Sequence, residues 1–181
     1  MMKWIAIAAW AALLAAQDAD KVDNEEYERW SKVKVGSEVK FKITSDVEGR
    51  KDSYVVYLLR IIDKEQATVS KTFGVLIGRQ MQTTKSDRIV PAKVFKGQDS
   101  DGRVGKEVAK GDEAIDVLGK KVQCSWVERE YVQMRGTVEV KSREKTWYTS
   151  AVVGGVARFE VKSLTHGTTT RYQVEESKPA K

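Results

Sequence analysis

The chain has one cysteine, two prolines and one histidine in 181 residues. A single thiol, Cys124, excludes an internal disulfide, so the apolar core alone has to hold the fold. One histidine and one cysteine also fail to make a zinc site, which takes three or four nitrogen or sulfur ligands at short spacing. Linker composition is absent, and a chain of this length is expected to form one domain. No uncharged apolar run reaches the roughly 20 residues that a membrane-spanning helix needs. Charge of one sign is not concentrated anywhere either. The 32 basic and 26 acidic residues give +6, but they are interleaved, as in EVKFK (38–42) and ARFEVKS (157–163). A nucleic-acid partner, which calls for a basic stripe, is therefore not expected. With 41% hydrophobic and 32% charged residues, the composition is that of a folded domain rather than a disordered or membrane-embedded chain.

The longest apolar run stands at the start. Trp4 to Ala16 carries no charge, follows Lys3, and gives way at once to Gln17, Asp18 and Asp20. A basic start, a short apolar stretch and an alanine-rich exit are the parts of a secretory signal peptide, assigned here to residues 1–16. Cleavage is expected near Ala16, although Leu14 occupies a position that prefers a small residue. No cysteine follows the run, which argues against a lipid anchor. The expected product is exported, periplasmic or secreted, with at most peripheral membrane contact after cleavage. It carries a net charge of about +5, because only Lys3 is lost. Residues 17–176 are read as one β-rich domain and 177–181 as a disordered tail.

After the leader, Asp23 to Lys32 (DNEEYERWSK) is the one helical stretch. It opens with acids and places Tyr27 and Trp30 on one side at i, i+3 spacing. A helix this short needs to dock its aromatic face to persist. From Val39 onward the period is two. Val39, Phe41 and Ile43 alternate with Lys40 and Lys42, as in a half-buried strand. Tyr54 to Ile62 is apolar on both faces and needs cover on each. Further strands are expected at 67–73, at 75–84, and at 88–95 with Pro91 at an edge or bulge. A polar loop over 97–105 comes next. A hairpin of 113–118 with 122–132 turns at Gly119-Lys120, and strands at 137–149, 156–164 and 168–175 follow. Strands joined by short polar turns, without intervening helices, specify an antiparallel meander. The expected fold is mainly β, a curved half-barrel or barrel with one short N-terminal helix; a two-layer sandwich also fits.

Constellations for chemistry are sparse. Cys124 alternates in phase with Val122 and Trp126, so it faces apolar surroundings and reads as a small hydrophobe rather than a nucleophile. His166 sits beside Gly167 in a turn. Asp99-Ser100-Asp101-Gly102 resembles part of a calcium loop, but the required end positions hold Gly97 and Val108, so a surface turn is expected. The glycines lack the Gly-Lys-Ser/Thr of a phosphate cradle. Glu128, Glu130, Glu139 and Glu144 lie on strands crowded with Lys and Arg, and read as cross-strand ion pairs. No catalytic residue, cofactor or metal is expected. The aromatic set could instead line a cavity for an apolar ligand. The residues assigned to that role are Trp30, Tyr57, Leu59, Trp126 and Trp147. The alternative is that these side chains are simply core.

One stretch carries a resemblance. Thr146-Trp147-Tyr148-Thr149-Ser150, Val152-Val153-Gly154-Gly155-Val156 and Arg158-Phe159-Glu160 are similar to a pattern of small secreted β-rich proteins of Gram-negative bacteria, planctomycete-like ones included. That pattern reads Trp-x-Ser, Pro-Gly-Gly, apolar-x-x-Glu. The helix with Trp30, the segment Lys34 to Lys42, and Gly119 to Cys124 look like the same proteins' opening and central strand. Val153 stands where they have proline. More loosely, they resemble the lipoprotein-carrier half-barrel, a curved sheet with a helix plugging its apolar side. This resemblance implies a non-enzymatic envelope protein that holds a lipid, an acyl chain or a lipidated protein. The competing expectation is a structural or protein-interaction module with a packed interior and an edge strand free for pairing.

Overall fold

In the computed structural model, residues 20–49, 53–77, 80–135 and 137–181 are described. The signal peptide expected at residues 1–16 lies outside them. The described strands are β1 (Lys21–Asp23), β2 (Glu38–Ser45), β3 (Ser53–Ile62), β4 (Gln66–Ile77), β5 (Gln80–Pro91), β6 (Lys93–Phe95), β7 (Gly105–Val117), β8 (Lys120–Arg135), β9 (Val138–Tyr148), β10 (Val156–Ser163) and β11 (Thr169–Lys178), with one helix, α1 (Glu25–Ser31). Nine strands make one antiparallel sheet in the order β5-β4-β3-β2-β11-β10-β9-β8-β7, while β1 and β6 pair separately. The sheet does not close: β5 and β7 are its two edges. A curved half-barrel is the result, not a closed barrel or a two-layer sandwich.

Facing residues in an antiparallel ladder share a side, so the registers sort the side chains into two faces. Val39, Phe41 and Ile43 of β2 face Tyr57, Val55 and Ser53 of β3. On the other flank, Phe41 and Ile43 meet Val174 and Tyr172 of β11, and Tyr172 meets Phe159 of β10. These apolar positions form the concave face, which explains the alternation of β2. The second face of β3, expected to need cover, is left partly open: Tyr54, Val56 and Leu58 point outward and are only half-buried.

Two segments cross the concave side. The first is α1, whose start is fixed by Asn24 rather than by the preceding acid. The Asn24 carboxamide oxygen accepts from Glu26 N at 3.0 Å, and its Nδ2 donates to Pro91 O at 2.6 Å and to Ser100 Oγ at 3.0 Å. The helix therefore begins at Glu25, two residues later than the acid pattern suggests. The second is the strap of residues 92–104, which runs from edge strand β5 to edge strand β7. It includes β6, whose pairing with β1 ties the start of the described chain to it. Asn24 is 4% exposed and joins the helix, the end of β5 and the strap at one point. Asn24→Ala is expected to lower stability by about 1–2 kcal/mol, from the lost cap and from a half-buried Pro91 carbonyl left without its donor. Asn24→Asp, which keeps the cap acceptor but not the donor, should fall between, as urea unfolding of the two variants would measure. Equal stability of all three proteins would show that this junction carries no load.

Three expected boundaries are corrected. Strand β4 runs on to Ile77 and pairs with β5 from Gln80, so the strand expected over 75–84 is divided between the two. Lys85-Ser86-Asp87, expected to be a break, sits mid-strand, where the Asp87 carboxylate accepts from the Ser70 hydroxyl. Strand β7 begins at Gly105, eight residues before the expected Glu113, because its outer half is an edge with no apolar alternation to betray it. The last strand reaches past the expected boundary at Ser177. Strand β11 extends to Lys178, Ser177 Oγ accepts from Val153 N at 2.9 Å, and Ala180 N donates to Ser37 Oγ at 3.0 Å. Pro91 does fall on an edge strand, as its missing N–H requires.

Candidate functional site

Side chains from β2, β3, β5, β8, β9, β10 and β11 surround one cavity of about 590 Å³ on the concave face, roofed by α1 and the strap. This lies within the ~300–1,000 Å³ typical of small-molecule pockets. Its floor is aromatic. Phe41 meets Tyr57 edge-on at 6.0 Å and Phe159 at 5.8 Å, and Phe159 stacks on Tyr172 at 3.9 Å. Val39 and Val161 complete this apolar part. Burial pushes the Tyr57 phenol well above its ordinary range, so it is a neutral wall at any physiological pH.

The roof and the far wall are charged. Arg88, on β5, donates through Nη1 and Nη2 to the two carboxylate oxygens of Glu26 at 2.8 Å each, and through Nε to Asp101 at 2.7 Å. Strap, helix and sheet edge thus meet at one guanidinium. Arg103 pairs with Asp99 at 2.7 Å and with Glu144 at 3.3 Å, and lies 4.4 Å over the Tyr131 ring. Burial works against the charge of both arginines, and their carboxylates outweigh it, so each is held above the usual guanidinium value. Burial raises the Glu144 carboxyl, and Arg103 offsets only part of the rise. Tyr131 is pushed up to about 12, again by burial first. Gly105 faces the Tyr131 ring so closely that an added Cβ would sit 2.6 Å from it; a glycine here lets the aromatic ring close over the edge strand.

Of the residues assigned to ligand binding from the sequence, Trp30 and Tyr57 line the cavity. Leu59 shares the concave face, through its pairing with Val69, but is fully buried in the core beside the cavity rather than in its lining. Trp126 and Trp147 are a cross-strand pair on the other face. The Lys145 ammonium lies 3.9 Å and 4.6 Å over their rings, and the Trp147 indole N–H donates to the Glu113 carboxylate. Trp147 is buried there with Ile115, Val117 and Cys124, where the end of the β7–β8 hairpin approaches β11 and Gln173 Nε2 donates to Asp116 O at 3.1 Å. The structure separates these two tryptophans from Trp30. Cys124 is buried, as its phase implies, and burial raises its thiol pKa. His166 is an exposed turn residue. Among the glutamates read as ion-pair partners, Glu130 does bond across to Arg143 of β9 at 3.1 Å, whereas Glu144 turns into the cavity. The Asp99–Gly102 turn is part of the cavity roof, and no cluster among the described residues could hold a metal ion.

The cavity residues that sequence reasoning missed include the charged ones, among them Glu25, Glu26, Arg29, Arg88, Arg129 and Glu144, and the tyrosines Tyr131, Tyr148 and Tyr172. Pairs such as Glu26–Arg88 lie 62 residues apart, and nothing local joins them.

The turn that supports Trp30 bears on the resemblance noted in the sequence. Val153–Gly155 forms a short 3-10 turn, with Gly154 at φ 71° and Gly155 at φ 70°. The left-handed glycine pair makes the tight turn without a proline, and the Trp30 ring lies against it.

No family model and no curated protein matches the chain. Among solved structures, a Bacteroides fragilis protein described as exported, with a YmcC-like fold, superimposes with a TM-score of 0.50 at 10% identity over 81% of this chain and 97% of that one. The hypothetical lipoprotein YmcC of Escherichia coli gives 0.35 at 11% identity over 81% and 89%. A LolA superfamily protein of Nitrosomonas europaea gives 0.26 at 11% identity over 88% and 94%. With the first of these the chain shares its fold.

Proposed function

We propose that this protein is a non-enzymatic protein of the bacterial envelope that holds an acyl chain or a similar apolar ligand in the concave face of its half-barrel. The observation that carries the reading is the cavity of about 590 Å³ whose floor is built from Phe41, Tyr57, Phe159 and Tyr172. An apolar ligand of this size would bury its surface against aromatic rings, and burial of apolar area is a general source of affinity. The rival reading, an interaction module with a filled interior, is less well served by such a space. Export to the periplasm or beyond is part of the proposal. It rests on the leader-like residues 1–16 and agrees with the word "exported" in the description of the Bacteroides fragilis structure.

Delipidated protein is expected to take up a fluorescent fatty acid at one site per chain. Protein purified from a periplasm should show, by native mass spectrometry, an added mass that extracts into organic solvent. Substituting Phe159 by aspartate should abolish uptake by charging the floor, while circular dichroism checks that the sheet survives. A clean apo mass together with no uptake by the unmodified protein would overturn the reading.

A further inference from the structure

The four arginines of the cavity wall are not equally neutralised. Arg88 has Glu26 and Asp101, and Arg103 has Asp99 and Glu144, so each of these guanidinium groups faces two carboxylates. Arg29 and Arg129 differ. Both lie near Tyr148: the Arg29 guanidinium is 4.6 Å from the ring centroid, and the Tyr148 phenol supports the charge of Arg129. Arg29 Nε is buried without a hydrogen-bond partner. Its one ion pair is to Glu25 at 3.9 Å, and the Glu25 side chain is 72% exposed. Burial works against the charge of Arg129, and Tyr148, Glu25 and the facing Glu144 of β9 support it. Among the described residues, neither of these guanidinium groups has two carboxylates within salt-bridge distance, as Arg88 and Arg103 do.

A buried donor without an acceptor is costly, and a pair of like charges makes the cost larger. An anion between the two would satisfy both, because guanidinium groups bind carboxylate and phosphate through charge-assisted, often paired, hydrogen bonds. Val156 and Phe159 line the cavity between Tyr148 and the aromatic floor. We infer that the end of the cavity flanked by Arg29, Arg129 and Tyr148 is the seat for the anionic head, carboxylate or phosphate, of an amphiphile whose chain lies on the aromatic floor. This inference rests on the cavity-holding reading and adds to it the sign and place of the head group.

The test compares dodecanoate, dodecyl phosphate, dodecanol and inorganic phosphate on the purified protein by displacement of a neutral fluorescent chain probe and by calorimetry. The two anionic amphiphiles are expected to bind at least about tenfold more tightly than dodecanol, the scale of one charge-assisted hydrogen bond. The double substitution R29Q/R129Q should remove that advantage, so that dodecanoate and dodecanol bind alike; R29K/R129K should keep part of it. Equal affinity of the unmodified protein for dodecanoate and dodecanol overturns the anion seat while leaving the cavity reading intact. Binding of none of the four overturns both. Inorganic phosphate binding as tightly as dodecyl phosphate would overturn the amphiphile assignment and identify the seat as one for a free anion. The first comparison needs no variant, so a misfolded double mutant does not protect the inference.

Discussion

Trp30→Ala is expected to destabilise the protein by about 3–5 kcal/mol, the range for deleting a large buried aromatic side chain, and to empty the cavity of bound ligand. Trp30 is the single fully buried residue of α1, 4% exposed. A seven-residue helix is too short to hold itself together, so its persistence comes from docking. The ring lies on the Gly154–Gly155 turn, where an added Cβ at Gly154 would come to 3.1 Å. The site has therefore been shaped to the indole, with left-handed glycines leaving no side chain in its way. Collapse around an alanine is blocked by that rigid turn, which places the expected cost toward the upper part of the range. Tyr27 adds an exposed contact, its hydroxyl donating to Asp63 O. Guanidinium unfolding of Trp30→Ala beside Trp30→Phe measures the effect, with the phenylalanine variant losing less than half as much. A loss below about 1 kcal/mol for alanine would mean that α1 is a loosely held lid, not a plug.

The strands with strict alternation, such as Val39-Phe41-Ile43, were legible because one face of them is buried and the other wet, and burial writes itself into the sequence at period two. The half-barrel with its helix followed from those strands and from the doubly apolar Tyr54–Ile62. Edge strands left no such mark. From Gly105 to Asp112, β7 lies on the open rim with mostly exposed residues, so its composition is that of a loop. The break between β4 and β5 is displaced in a sequence reading because Lys85-Ser86-Asp87 is as polar as a turn while sitting on a solvent-facing edge.

The site was legible only in its apolar half. Trp30 and Tyr57 announce themselves as aromatics, but so do Trp126 and Trp147. A period-two argument cannot say which of two buried faces a strand residue joins when the sheet curls enough to bury both. The charged half gave no signal at all. In a chain where charged residues are everywhere, an arginine facing an enclosed space looks like one facing water until the fold brings Glu26, Arg88 and Asp101 together.

That junction sets the second large effect. Arg88→Met should cost about 2–3 kcal/mol and loosen the strap more than the sheet. The methionine keeps much of the arginine's apolar stem, so the loss is chiefly that of three charge-assisted hydrogen bonds, with the Glu26 carboxylate left facing the cavity alone. Breaking a fully buried ion pair costs roughly 3–5 kcal/mol. The Arg88 and Glu26 side chains are 26% and 24% exposed and Asp101 is 50% exposed, so water screens part of the loss and the smaller figure applies. Global unfolding would register this as reduced stability, but the local signature is more telling. The strap is held to β5 through Arg88–Asp101 and to β9 through Arg103–Glu144; cutting the first tether leaves it hinged on the second. Limited proteolysis should accordingly cut within residues 96–104 several times faster in the variant, at conditions where the rest of the sheet resists. Adding Glu26→Gln to Arg88→Met should restore roughly half of the lost stability by removing the orphaned charge, without restoring strap protection, since Asp101 is still untethered. If protease sensitivity in the strap were unchanged, the strap would be held by its backbone bonds to β1 and Asn24, and the cavity would open at the helix instead.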